Sequence, residues 1–374
     1  MNLTKLPTET MLQLKKWCYL LFLVPTLAPF ISDILIRQMG HQNYFSYLTV
    51  FLVFGLVPLL DLIIGKDPVN PTEEDQVPRL ANEPYYKLLT ALFVPLYLLL
   101  LFWSTSIFVS AGFNLAGQIG WVLSMGTVGA LGITVAHELI HKDAKEERYL
   151  GGILLSMVTY GGFKVEHLRG HHVNVSTPLD ASSSRYNESL YHFLPKAYWH
   201  NFKNAWALEK DRLNKKGLSA YSLSNELVLW YGLSLIWCLI CVGFWGWMGG
   251  VFFVAQSFIA FTLLEIVNYL EHYGLHRRKL DNGRYERIKP EHSWNSNYFL
   301  TNLFLFHLQR HSDHHANAKR RYQVLRHYDQ APQLPAGYPT MVLLALIPPL
   351  WFKVMNPRVQ AYYQGEQHQL TDQL

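Results

Sequence analysis

Charge is scarce in this sequence. Asp, Glu, Lys and Arg make up 16% of the 374 residues, against about 25% in soluble domains. Apolar side chains reach 50% and aromatic ones 14%. That balance argues against a soluble enzyme and against a disordered chain. Cysteine is scarcer still: only Cys18, Cys238 and Cys241 are present, all in apolar stretches. An odd number so placed offers no disulfide framework. Three thiols also exclude a built-in iron–sulfur domain, which takes four. Cys238 and Cys241 form a CxxC with no polar partner near it, and they read as packing residues. The net charge of +5 is too small for this length to suggest nucleic acid, and none is expected as a partner. No cleavable leader is evident either. The first apolar stretch, Trp17 to Ile36, follows Lys15 and Lys16 and is not succeeded by a small-residue cleavage site.

Long apolar runs are plentiful. Six are long enough to cross a bilayer, which takes about 20 residues: roughly 17–36, 44–64, 88–110, 116–136, 226–247 and 250–271. The connections between them alternate in charge. Segment 37–43 carries only Arg37, and segments 111–115 and 246–250 carry no Lys or Arg. Segments 65–87, 137–225 and 272–374 carry the rest, apart from Lys5, Lys15 and Lys16 ahead of the first span. Basic residues near span ends mark the cytoplasmic side. The sequence therefore predicts an all-α integral membrane protein with six transmembrane helices and cytoplasmic N- and C-termini. A cytoplasmic helical cap would be built from 137–225 and 272–374. The whole chain, 1–374, reads as one membrane-embedded domain of a bacterial-type inner membrane. Two shorter apolar stretches, 150–163 and 338–353, are expected to lie against the bundle.

Histidine is the other excess, with 17 in the chain. Nine fall into four groups: His137 and His141; His167, His171 and His172; His272; and His311, His314 and His315. All four lie on the side that Lys and Arg mark as cytoplasmic. Residues at i, i+3 and i+4 share a helix face, so the pairs 137/141, 167/171 and 311/315 can each present two imidazoles together. Nine ligands are too many for one metal ion and suit two. Imidazole without thiolate permits several transition metals, and an oxygen-activating iron pair is the economical choice. HELIH contains the zincin pattern HExxH, but a zinc protease needs one further ligand, not seven. His41, His192, His200, His327 and His368 read as ordinary surface or core residues. His276 and His292 fit no spacing, and His307 lies one turn before His311 and could face the site.

Metal-bound imidazoles usually donate their second N–H to a carboxylate or carbonyl. Glu138, Glu166, Asp180, Glu265, Asn268, Glu271 and Asp313 are the candidates. Glu265, Asn268 and Asp313 are assigned to the catalytic site, Glu265 because an ionisable residue inside a membrane helix is costly and usually functional.

The motifs HELIHK (137–142), EHLRGHH (166–172), NYLEHYGL (268–275) and LQRHSDHH (308–315) resemble, in order and spacing, those of the bacterial integral-membrane alkane monooxygenases (alkane 1-hydroxylases). SWNSN at 293–297 and HANAKRRYQVLR after the last His extend the resemblance, which covers about residues 44–360. It implies a non-haem di-iron centre held by the nine histidines above. It further implies terminal hydroxylation of medium- to long-chain n-alkanes with O₂, and two electrons from rubredoxin through its reductase and NADH. Substrate would come from the lipid bilayer through a tunnel between the spans. Val53, Phe54, Leu131 and Ile133 are candidates for its wall. Arg277, Arg278, Lys279, Lys319, Arg320 and Arg321 are candidates for docking an acidic donor. The alternatives are a membrane di-iron desaturase or hydroxylase of fatty acyl chains, an alkyl-aromatic monooxygenase, and, from another class, a metal transporter.

Overall fold

A computed structural model describes residues 6–67 and 69–364. His368 lies outside them. Among the described residues the chain is helical, with isolated bridges such as Lys66 to Tyr298 and no strand. Four helical stretches are long and apolar enough to cross a membrane: Thr8–Met39, Gln76–Ser110, Leu115–Ile140 and Glu226–His272. A shorter apolar helix runs over Leu48–Ile64. We label the helices α1 (Thr8–Met39), α2 (Leu48–Ile64), α3 (Pro84–Ser110), α4 (Leu115–Ile140), α5 (Lys145–Ser156), α6 (Leu190–Asn214) and α7 (Glu226–His272). Three more complete the set: α8 (His311–Ala316), α9 (Tyr338–Ala345) and α10 (Pro348–Tyr363).

Not every expected span is a separate, uninterrupted helix. The second is not one α-helix: it is interrupted by a π turn over Leu52–Leu56. Pro58 explains this, since it has no N–H to donate to the preceding turn. The last two expected spans are continuous in α7, whose 47 residues would extend about 70 Å if straight. Gly246 breaks that line with φ 68° and ψ −172°, a conformation open to glycine. A Cβ on Gly249 would strike the Cys241 carbonyl, and one on Gly250 would meet Val242 at 2.7 Å. The chain therefore doubles back, and α7 is a hairpin of two arms.

α4 is the central helix and is buried over most of its length. Asn114 caps its start, accepting from the Gly117 N–H at 3.0 Å. Gly126 and Gly129 let α7 approach closely, because a Cβ at either would collide with Ile259 or crowd Ala260. Tyr97 on α3 donates to Gln256 on α7 at 2.9 Å, and Gln256 donates to the Met157 carbonyl at 3.2 Å. Beyond the ends of α4 and α7 lies a second apolar cluster. There Trp351, Met355 and Val359 of α10 pack with Tyr269 and Tyr273.

Candidate metal centre

The nine histidines of the four motifs converge. Their ring nitrogens form two groups, each with all members within 4.8 Å of one another. His137, His141, His167, His172 and His314 form one, and His171, His272, His311 and His315 the other. The two groups abut, with the His172 and His315 rings 4.5 Å apart. In the first group, Nε2 atoms lie 3.0 Å apart between His141 and His167, 3.0 Å between His167 and His172, and 3.1 Å between His172 and His314. In the second, the separations are 2.8 Å for His311 and His315, 3.2 Å for His272 and His311, and 3.3 Å for His171 and His315.

Local structure decides who joins which group. His137 and His141 close the last turn of α4 and keep the expected shared face. His311 and His315 do the same on α8. His167 and His171 do not. Residues His167–His171 form a π turn, whose wider repeat brings residue i+5 over residue i. His172 therefore joins His167, and His171 turns to the other group. α8 is short and cannot hold its shape alone, so neighbours fix it. The Ser312 N–H donates to Asn295 Oδ1 and its hydroxyl to the Ser293 carbonyl, both at 2.9 Å. That is the work of SWNSN, whose role spacing alone did not reveal.

The donor set fits metal ions. Neutral imidazoles each carry one N–H, and several here spend it away from the centre. His171 Nδ1 lies 2.9 Å from Asp180 Oδ2, and His272 Nδ1 lies 3.3 Å from the His292 carbonyl. Their Nε2 atoms then present lone pairs inward. His137 Nε2 is buried without a hydrogen-bond partner. Lone pairs crowded this closely repel unless a cation lies between them. Metal–imidazole bonds of about 2.1 Å place neighbouring nitrogens roughly 3.0–3.4 Å apart, which is the spacing found. Burial pushes the His311, His314 and His315 imidazolium forms well down, leaving neutral rings able to bind. At His171 burial has the same tendency, but the Asp180 carboxylate outweighs it and raises the pKa. Asp180 is itself held down to about 2: burial opposes this, and the His171 contact overcomes it. The residues thus make a metal site.

The candidate carboxylates divide. Glu265 is fully buried, accepting from the Tyr160 hydroxyl and, at 3.1 Å, from the Asn268 side-chain amide. Asp313 is otherwise engaged. It accepts from the Arg326 N–H at 2.8 Å, from Asn317 at 2.8 Å and from Tyr328 at 3.1 Å, and so ties down the chain that follows α8. Glu138 pairs with Lys142 at 2.8 Å. Glu271 is placed more tellingly than the sequence suggested. One oxygen lies 3.2 Å from His311 Nε2, and the other accepts from the Tyr338 hydroxyl at 2.8 Å. His307 faces Tyr19 and the Tyr322 carbonyl instead of the nine.

An apolar cavity lies about one turn of α4 from this centre. Val53, Phe54 and Leu131 line it, with Leu263, Val267 and Leu308 among others, around about 530 Å³ of space including its open mouth. Ile133 does not line it and is packed in the core, which corrects its assignment to the wall. The polar wall residues are neutralised: Thr127 and Thr134 give their hydroxyls to helix carbonyls at 2.8 and 3.2 Å. The wall's stripes run on into the centre. Along α4 Thr134 is followed one turn later by His137, and along α7 Val267 by Glu271. Tyr338 belongs to both, with its ring on the cavity and its hydroxyl on Glu271.

The candidate basic cluster is largely consumed within the fold. Arg277 donates to the carbonyls of Glu286 at 2.7 Å and Val173 at 3.0 Å. Arg320 pairs with Glu73 at 2.8 Å, and Arg321 pairs through both amino groups with Glu147 at 2.9 and 3.0 Å. Lys319 is exposed and pairs with the equally exposed Asp143. Arg278 and Lys279 lie on the outer loop before Tyr285.

Residues 114–345 match the family described as fatty acid desaturase. The chain is 58% identical to alkane 1-monooxygenase 2 of Pseudomonas aeruginosa, over 98% of both chains. It is 57% identical to alkane 1-monooxygenase 2 of Alcanivorax borkumensis, over 97% of this chain and 95% of that one. It is also 57% identical to alkane 1-monooxygenase 1 of P. aeruginosa, over 97% and 96%.

Proposed function

This chain belongs to the family of the alkane 1-monooxygenases, and we propose that it hydroxylates the terminal carbon of medium- to long-chain n-alkanes at a di-iron centre. The observation that carries the reading is an apolar cavity whose wall residue Thr134 lies one turn of α4 before His137, close to two adjoining groups of five and four imidazoles. On this reading the nine histidines hold two iron ions. When bound, those ions supply O₂ activation and the two-electron oxidation of a C–H bond. The reaction consumes alkane, O₂, two electrons and two protons, and yields a primary alcohol and water. Rubredoxin, recharged by its reductase with NADH, is the proposed electron source.

The chain's own residues do the rest. An alkane offers no polar handle, so apolar burial must hold it, at about 0.8 kcal/mol per CH₂. A wall of Val, Leu and Phe side chains supplies that burial, and tying up the threonine hydroxyls keeps water poorly held there. A narrow cavity admits the chain end first, which favours the terminal carbon over weaker internal C–H bonds. Asp180 and the His292 carbonyl fix ring orientation at His171 and His272. Glu265 with Asn268, and Glu271 with Tyr338, bring buried carboxylates beside a neutral-ligand centre whose positive charge they offset. Asp313 is proposed to position α8.

For topology we propose six crossings in a bacterial inner membrane, counting α2 and each arm of α7, with both termini cytoplasmic. The donor docks on the cytoplasmic cap. Arg278, Lys279 and Lys319 are better placed for this than Arg277, Arg320 and Arg321, whose charges are spent internally.

The test supplies purified, iron-loaded protein with rubredoxin, its reductase, NADH and a graded set of n-alkanes, with products identified by gas chromatography–mass spectrometry. Primary alcohols are expected. Absence of any alcohol, while iron is retained and the donor is oxidised normally, would transfer the reading to fatty acyl chains.

A further inference from the structure

α6 lies across the α7 hairpin where its two arms approach the cap. Tyr198 packs on Phe261 of the second arm and donates to Thr262 at 2.8 Å. Phe202 packs on Tyr231 of the first arm. Tyr231 and Phe261 are equally far in sequence from the Gly246 reversal, so they sit at the same height on the two arms. α6 therefore crosses both arms near one level, as a helix in the plane of a membrane surface does.

Its two faces differ. Phe193, Ala197, Asn201, Ala205, Glu209 and Leu213 recur every fourth residue and are buried. Trp199, Lys203, Trp206 and Lys210 form a second stripe at helical spacing on the outer side. With Phe202 and Tyr221 they line an open groove. Trp199 is 65% exposed, Tyr221 85% and the nearby Leu223 92%. Neither Lys203 nor Lys210 has an ion-pair partner among the described residues, whereas Lys196 on the same helix is paired with Glu188 at 2.7 Å. Of the two acids beside Lys210, Glu209 faces inward and is held by Arg169 and Arg212, and Asp211 is exposed with no ion pair to either lysine.

We propose that this stripe binds the headgroup of an anionic phospholipid, the two lysines taking the phosphate and the aromatic rings packing on the glycerol and upper acyl chain. Alternating aromatic and lysine residues suit the boundary between lipid and water. Exposed Trp, Tyr and Leu beside unpaired lysines favour lipid over an acidic protein, whose surface would leave the apolar groups wet. The inference rests on both arms of α7 crossing the membrane and is independent of the oxygenase chemistry.

The test is native mass spectrometry of the intact protein in neutral detergent, titrated with phosphatidylglycerol or phosphatidylcholine. Phosphatidylglycerol is expected to be retained preferentially. A basic residue near an anionic surface contributes about fivefold, so Lys203→Gln with Lys210→Gln should weaken phosphatidylglycerol binding about 25-fold and leave phosphatidylcholine unchanged. Equal retention of the two lipids, or undiminished phosphatidylglycerol binding by the double variant, would overturn the proposal. Inorganic phosphate competing as well as lipid would reduce the stripe to a bare anion site. A raised KM for rubredoxin in the double variant, with lipid binding intact, would assign the surface to a protein partner.

Discussion

Neighbouring residues carry opposite assignments at the metal centre. His171 and His172 are adjacent, yet the π turn sends them to different groups. His171→Ala and His172→Ala should therefore each deplete a different ion. Mössbauer spectra of the iron remaining in the two variants are expected to differ. Identical residual spectra would mean that the two groups do not act as separate ion sites. The cavity wall shows the same dependence on a single angular step. Val53 lines it, and Val53→Trp should shorten the longest alkane converted, read from the product distribution. An unchanged distribution would remove Val53 from the wall. Ile133 is two residues from Leu131, roughly 200° around α4, and packs in the core. Ile133→Val should cost about 0.5–1.5 kcal/mol of stability and leave product lengths alone. The nine histidines were legible because motif spacing and membrane side are linear properties of the chain. Which nitrogens fall into one group was not legible, because a π turn has no firm sequence signature. Nor was the Glu271–Tyr338 contact, whose partners lie 67 residues apart.

At the scale of elements, apolar length read correctly where helices are uninterrupted, as in α3 and α4. The uncharged Gly246–Gly250 segment also marked the reversal in α7. The second span was harder, since Pro58 alters hydrogen bonding upstream of itself without changing hydropathy. Polar junctions between elements were invisible to hydropathy altogether. Glu209 on α6 is one: Arg212 holds it at 2.8 Å, Arg169 pairs with it, and it accepts the Glu226 N–H at 2.9 Å where α7 begins. Burial alone would raise its pKa, but these donors outweigh burial and lower it to about 2. A carboxylate depressed in the folded state stabilises fully above its unfolded pKa of about 4.3 and loses that contribution as pH falls toward 2. Glu209→Gln should therefore lower the melting temperature at pH 6, with the gap to the unaltered protein narrowing as pH drops below about 4. A gap independent of pH between 6 and 3 would show that the carboxylate's charge contributes nothing.

The whole molecule is braced from its N-terminal helix to its metal centre. Arg310, the residue before His311, is fully buried and pairs with Asp67 at 2.9 Å. Lys15 of α1 holds the same Asp67 oxygen at 2.5 Å. Arg310 also donates to the Leu325 carbonyl at 2.7 Å and to Asn297 of the SWNSN segment at 3.2 Å. Three distant stretches of chain thus meet one guanidinium directly beside the metal-binding helix α8, and α1 reaches it through Asp67. A buried charge pair is a weak source of net stability, but removing one partner costs about 3–5 kcal/mol because the other charge is left uncompensated. Arg310→Leu should lose that much stability and also loosen α8, so iron should dissociate faster into a chelator. Lys15→Leu leaves Asp67 paired with Arg310 and α8 still held. It should destabilise the protein with a smaller change in iron release. Equal acceleration of iron loss in both variants would mean that the brace acts on global stability alone and does not position α8.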